Sequence, residues 1–435
     1  MNKKVVLSLE WTSYPSRDTE TATLVRNYLR LHGIKVISGS VHNAYALLRK
    51  HRPDLVYMTN IIGAHINFRI ACYCRSKNIK LVTGISEGDI KEHKASGMVW
   101  GHNSLRSPVE SEILLWSDFQ REKFIDQHSF YSAIAHVTGS PGADRYKFCA
   151  PSEALVDRSG YKIVVGLGCF NFPEDSSSAS DASKDIKDTR SRLSEDRHAF
   201  AETLDDLVSM MPEVLFLFKL HPGGLRGKYG AGIEKAARRR NVKVLPKDAS
   251  ILNCIAASDV WMSYESNSAM EAWLMNKHTG LLNPSGTDFE RSDFYKGQPN
   301  FATAVEWRDA LHCFLQAAEL PGFKELESER KKVIKKVIGW DDGFNHVRSG
   351  NAILKALDSD QVMAQALIPP HLNPSPKEYI TQSLKFFATQ RNLVKSGRRK
   401  WCEEELAEFE AVRMDEQIRF YENLGDDWFD RLQHM

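Results

Sequence analysis

The chain has 435 residues, 42% of them hydrophobic and 26% charged. That length suits two domains and an appendage, and the apolar content builds a sizeable core without disulfide or metal staples. The formal net charge of +2 supplies no electrostatic case for nucleic acid, and none is expected as a partner.

The first apolar run, VVLSLEW, reads as a strand rather than as a signal peptide. SRDTETATLVRNYLRLHG follows as an amphipathic helix stopped by Gly33. IKVISGS, DLVYMTN and KLVTGIS are further strands, separated by helices in AYALLRKHRP and HINFRIACYCRSKNI, and IAHVTGS at 134–140 is a later one. Strand–helix alternation at this spacing predicts a doubly wound parallel sheet over 1–150. Arg17 and Asp18 fall in the first strand-to-helix loop, where they are candidates for contact with an acceptor; Asp18 also suits a helix cap. Glu87 and Asp89 follow KLVTGIS. A carboxylate at a strand end suits a general base toward an acceptor hydroxyl. A turn with two solvated acids is the bland alternative.

A second sheet begins at YKIVVGLGCF, 161–170, whose loop carries Gly168 and Asn171. GLGCFN lacks the third glycine of a dinucleotide fingerprint. Between Phe172 and Arg197 the composition turns to Ser, Asp, Lys and Glu, which predicts a mobile surface loop, and HAFAETLDDLVSMM is a helix. VLFLFKLHPGG is a strand ending at Lys219, His221 and Pro222. Proline and glycines open the turn there, so His221 is placed to donate a hydrogen bond to a phosphate. A later strand ends in Ser263, followed by Glu265, Ser266, Asn267 and Ser268 before the helix AMEAWLMNK. Ser268 and Glu271 have the spacing of a capping box. The hydroxyls at 263 and 266 are surplus to capping, and a helix start of this kind favours an anion. The second domain is expected over 160–357, closing around GWDDGFNHVRSGNAILKAL.

Residues 375–435 read as a helical extension. Positions 391–400 hold five positive charges and no negative one, and from 401 eleven acids face three arginines. The functional reading is a peripheral membrane contact through 391–400, or a partner helix. The alternative is a solvated helical hairpin packed on the domains. Seven scattered cysteines predict reduced thiols in a cytoplasmic protein, with no metal site and no bound cofactor.

Two Rossmann-like domains of this kind resemble the GT-B glycosyltransferases. At residue level the chain is similar to bacterial surface-carbohydrate (capsule and lipopolysaccharide) biosynthesis proteins, related in pattern to CDP-glycerol glycerophosphotransferases and to sialyl- and Kdo-transferases. Ser16-Arg17-Asp18, Glu87-Gly88, Val137–Pro141 with Asp144, His221-Pro222, the Ser263–Ser268 run with Glu271-Ala272, and Asp342-Gly343 with Arg348 carry the likeness. It implies an acceptor domain followed by a nucleotide-donor domain facing it across a cleft, and a metal-independent transferase. The donor would be a CMP-linked acidic sugar or a UDP-sugar, and the acceptor a glycan or a lipid-linked glycan. Glu87 would be the base, with Asp89 the second choice, and His221, Ser266 and Ser268 would hold the phosphate. Gly139-Ser140-Pro141-Gly142 lacks the basic residue of the family's Gly-x-Pro-Arg. Two rivals stand beside this expectation: a UDP-sugar 2-epimerase of the same fold, and a non-catalytic assembly subunit.

Overall fold

The computed structural model describes residues 3–11, 17–59, 65–85, 105, 107–150, 155–169, 184–221, 233–246, 249–264, 266–284, 286, 293–359, 368–390 and 403–435. They form two compact units, Met1–Cys149 with Ile334–Met435, and Ala150–Val333.

In the first unit the chain runs β1 (Val5–Glu10), α1 (Arg17–Leu31), β2 (Lys35–Ser40), α2 (Ala44–His51), β3 (Leu55–Met58), α3 (His65–Ser76), β4 (Lys80–Thr83), β5 (Glu112–Leu115), α4 (Asp118–Gln127), β6 (Ala135–Val137) and α5 (Pro141–Phe148). The six strands pair in parallel in the order β2-β1-β3-β4-β5-β6. β1 is buried on both faces because helices cover both. Val6, Val25, Leu55, Val82 and Leu114 form one core on the α1 side. Each such fully buried side chain contributes about 1.5–3 kcal/mol. Arg17 and Asp18 are the first residues of α1, not loop residues. β5, only four residues long, was not legible as a strand.

The second unit runs β7 (Ile163–Gly168), α6 (Lys184–Met210), β8 (Val214–Lys219), β9 (Val242–Leu245), α7 (Ile251–Ala256), β10 (Val260–Ser263), α8 (Ser268–Leu274), β11 (His278–Leu282), β12 (Asn300–Phe301) and α9 (Ala304–Ala317). Its parallel sheet has the order β12-β11-β10-β7-β8-β9. The expected loop of 172–197 is corrected over its second half, where α6 begins at Lys184. Phe200, Leu204, Leu207 and Val208 of that helix are buried against the sheet.

The chain returns to the first unit within α10 (Glu327–Ile338). α11 (Asn345–Asp358) was expected to close the second unit; it packs instead on α1 and α5. Its apolar face, with Val347, Ile353 and Leu357 buried, meets Tyr28 and Leu29 of α1. The extension comprises α12 (Pro376–Gln390), α13 (Glu403–Glu422) and α14 (Trp428–Gln433). α12 lies on α2, and α13 lies on α1 and α5. Among the described residues no helix is long and apolar enough to cross a membrane.

Candidate functional site

In an open parallel sheet a ligand sits at the carboxyl edge, where neighbouring strands send their chains to opposite faces. In the second unit that point lies between β7 and β10, because β7 leads to β8 on one side while β10 flanks it on the other. Gly168 ends β7, and Ser263 ends β10. Lys219 pairs with Gly168 across the β7–β8 ladder, and His221 lies two residues further on and is exposed.

Three of the predicted residues touch. Ser268 Oγ donates to Ser266 Oγ at 2.8 Å, and accepts from the Trp261 indole at 3.0 Å. A Cβ added at Gly168 would lie 2.7 Å from Ser268 Oγ. Gly168 is therefore a glycine because the head of α8 rides directly on the end of β7. Gly168→Ala is expected to cost about 1–3 kcal/mol, since the hydroxyl it meets is already held from two sides. A thermal melt checks this, and an unshifted midpoint would mean that α8 slides freely on the strand.

The capping box is corrected. Asn267 precedes α8 without a side-chain cap bond. Ser266 takes that role, its Oγ accepting from the Ser268 N–H at 3.2 Å. Ser268 is already inside the helix and spends its hydroxyl on Trp261, so no reciprocal box with Glu271 forms. Glu271 is buried one turn in. Ser263 does not join the hydroxyl pair; it donates to Gln298 Oε1 at 3.1 Å, within the core.

Lys219 is buried, and its ammonium donates to the Leu220 carbonyl at 2.7 Å. Cys169 is next to Gly168, but burial pushes its thiol up to about 12, outweighing the pull of Lys219. It is a packing group, not a thiolate nucleophile. Sequence reading missed Asp196 of α6, a buried acid whose carboxylate accepts from the Tyr264 hydroxyl just past β10. Asp196 precedes Phe200 by four positions, so it continues that helix's inner face, but as an acid it broke the apolar pattern.

Asn171, Pro222, Glu265, Glu87 and Asp89 lie outside the described residues, as does the side chain of Arg17. Asp18 is nearly buried in the first turn of α1 and belongs to the first unit. It faces Glu10, the last residue of β1.

No family model and no curated protein matches the chain. Solved structures do. A Listeria monocytogenes protein assigned as a UDP-N-acetylglucosamine 2-epimerase aligns with TM-score 0.54 at 13% identity, over 84% of this chain and 99% of that one. The S. aureus MnaA–UDP structure aligns with TM-score 0.55 at 10% identity, over 82% and 97%. Another UDP-N-acetylglucosamine 2-epimerase gives 0.53 at 12% identity, over 82% and 96%. At these identities the likeness is one of fold, two Rossmann-like units of the GT-B type.

Proposed function

We propose that this chain is an enzyme of nucleotide-activated sugars, which binds the nucleotide at the carboxyl edge of β7, β8 and β10. The observation that supports it most is the meeting of Gly168, Ser266 and Ser268 at the switch point of the second sheet. Polar groups converge there beside an exposed histidine, the arrangement that receives a phosphate in this kind of sheet. In the reading taken from sequence, the sugar passes to a surface-glycan acceptor without a metal. An acid of the first unit, Glu87 on sequence grounds, takes the acceptor proton, and His221 stabilises the departing phosphate. A contact of 391–400, outside the described residues, with an anionic membrane belongs to the same proposal. Co-sedimentation with vesicles tests it.

One observation favours the second reading, a 2-epimerase. Two of the three aligned structures bear that name, and the third was solved with UDP. The same fact supports UDP over CMP as the nucleotide. Proton NMR separates the two reactions. UDP-N-acetylglucosamine incubated alone with the protein yields a 2-epimer in one case, and stays intact until an acceptor is added in the other.

The nucleotide site itself is tested by thermal shift with UDP, UMP, CMP, CDP and GDP. One of them is expected to raise the melting temperature of the wild type and not of His221→Ala. With the matching sugar nucleotide, His221→Ala is expected to lose about 10²-fold in kcat/KM, and EDTA to leave the rate unchanged. An equal response of wild type and variant to every nucleotide removes His221 from the site.

A further inference from the structure

The switch point of the first sheet lies between β1 and β3, and its side chains were not singled out in the sequence. Leu9 pairs with Met58; Glu10 is the next residue of β1, and Thr59 directly follows the end of β3. Both are buried, at 0% and 1% exposure. Glu10 Oε1 accepts from Ser8 Oγ at 2.7 Å and from Arg26 Nη1. Among the described residues, Glu10 Oε2 and Thr59 Oγ1 have no hydrogen-bond partner. Buried oxygens are seldom left so, and two at one switch point call for a donor that the described residues do not supply.

Arg26 explains why Oε2 is spared. Its guanidinium is fully buried and divided three ways, to Glu10 through Nη1, to Thr23 Oγ1 at 2.7 Å through Nη2, and to Glu410 Oε1 at 2.6 Å through Nε. Glu410 comes from α13 and is held also by Arg30 at 2.8 Å. A guanidinium free of Glu410 would turn its fork onto both oxygens of Glu10, the bidentate geometry that arginine favours. The helix of the extension thus reaches the edge of the first sheet through one arginine.

We propose that Glu10 and Thr59 form a subsite that accepts hydrogen bonds from a hydroxyl of a saccharide or polyol, and that Glu410 is its positioning residue, acting through Arg26. The ligand class rests on the function proposed above; the tie between Glu410 and Glu10 does not. The charged and titratable groups facing Glu10 are Arg26 and Asp18 from α1, Glu410 from α13 and Tyr57 from β3. Burial raises Glu10 to about 7; Arg26 pulls it down, and Glu410 and Asp18 push it up. Losing Glu410 removes one like charge and frees Arg26, and both changes favour the carboxylate.

The test is a carboxyl NMR titration of the full chain labelled in glutamate, with the Glu10 signal assigned by its loss in Glu10→Gln. Glu410→Gln is expected to lower the Glu10 midpoint by about one pH unit. Glu410→Ala carries the same sign if the glutamine variant does not fold. Glycerol, glucose and N-acetylglucosamine are then added singly to the wild type. At least one should move the Glu10 signal, and Thr59→Val should weaken that response about tenfold. An unchanged midpoint without Glu410 overturns the positioning role, and silence to all three polyols overturns the subsite. No nucleotide enters either arm, so failure here is distinct from failure of the nucleotide site.

Discussion

Asp144→Ala is expected to destabilise the first unit by about 3–5 kcal/mol and to loosen α13 from it. Asp144 is 1% exposed and its two oxygens serve three donors. Asn345 Nδ2 donates to Oδ1 at 2.8 Å, the His346 backbone N–H donates to Oδ2 at 2.7 Å, and His346 Nδ1 lies 2.7 Å from the same oxygen. With Nδ1 donating, Nε2 is left to accept from the Tyr421 hydroxyl of α13, to which Gln417 also donates at 3.2 Å. The chain Asp144–His346–Tyr421 therefore joins α5, α11 and α13 through fully buried groups. Alanine at 144 strands an imidazole, an amide and a backbone N–H in the core at once. Hydrogen exchange is the suitable measurement, because a chain of two units need not unfold in one step. Amides of α11 and of residues 417–421 should lose protection together. Loss confined to α5 would show that α13 is held by its apolar contacts alone.

Those contacts are considerable. Tyr28, Phe344, Val347, Tyr421 and Leu432 form a buried cluster, with Phe420 and Trp428 packed against it. The alternative of a helical hairpin packed on the body is thus the description that α13 and α14 fit. The acidic surplus after 401 is not all solvated, since Glu410 points inward to Arg26 and Arg30.

The fold was legible because each central strand is a short, nearly unbroken apolar run, VVLSLE, IVVGLG or VLFLFK, set between amphipathic helices. What sequence order does not carry is which sheet a late helix will cover. NHVRSGNAILKALD has an apolar face that suits either unit, and only long-range packing assigns α11 to the first. α13 was harder still. Its inward residues Leu406, Glu410, Gln417 and Tyr421 are mostly polar, so helical periodicity of apolar residues could not mark that face. The second-unit site was legible as a residue set, because glycine and hydroxyls at strand ends are unusual enough to stand out. The partner of each hydroxyl was not: Ser263 turns to Gln298 and Ser268 to Trp261, both chosen by the packed core. Glu10 and Arg26 did leave a trace. Ser8 and Glu10 are polar, two apart, in a strand otherwise apolar, and Arg26 breaks an apolar stretch of α1. Read together, those breaks would have predicted a buried ion pair.

Glu110→Gln is expected to make the first unit more stable at alkaline pH and to leave it unchanged in acid. Glu110 precedes β5 and is 0% exposed. Its Oε2 accepts from the Val109 N–H at 3.1 Å, the Tyr131 hydroxyl bonds the carboxyl, and Oε1 has no partner among the described residues. Burial raises the group from its ordinary 4.5 to about 7, more than those hydrogen bonds lower it. A carboxyl raised on folding holds its proton more tightly in the folded chain than in the unfolded one. Its contribution is whole below about 4.5 and is lost as pH climbs through about 7, where the folded carboxyl must ionise in the core. By linkage the loss approaches about 3 kcal/mol once both states are ionised. Glutamine keeps the shape and never ionises. Denaturation midpoints of wild type and variant should therefore coincide near about pH 4 and separate above about pH 7, the variant unfolding later. Glu10 titrates in the same sense, so the variant's curve should still slope. Parallel curves over the whole range would mean that Glu110 ionises near its ordinary value, with a donor, such as an ordered water, supplied to Oε1.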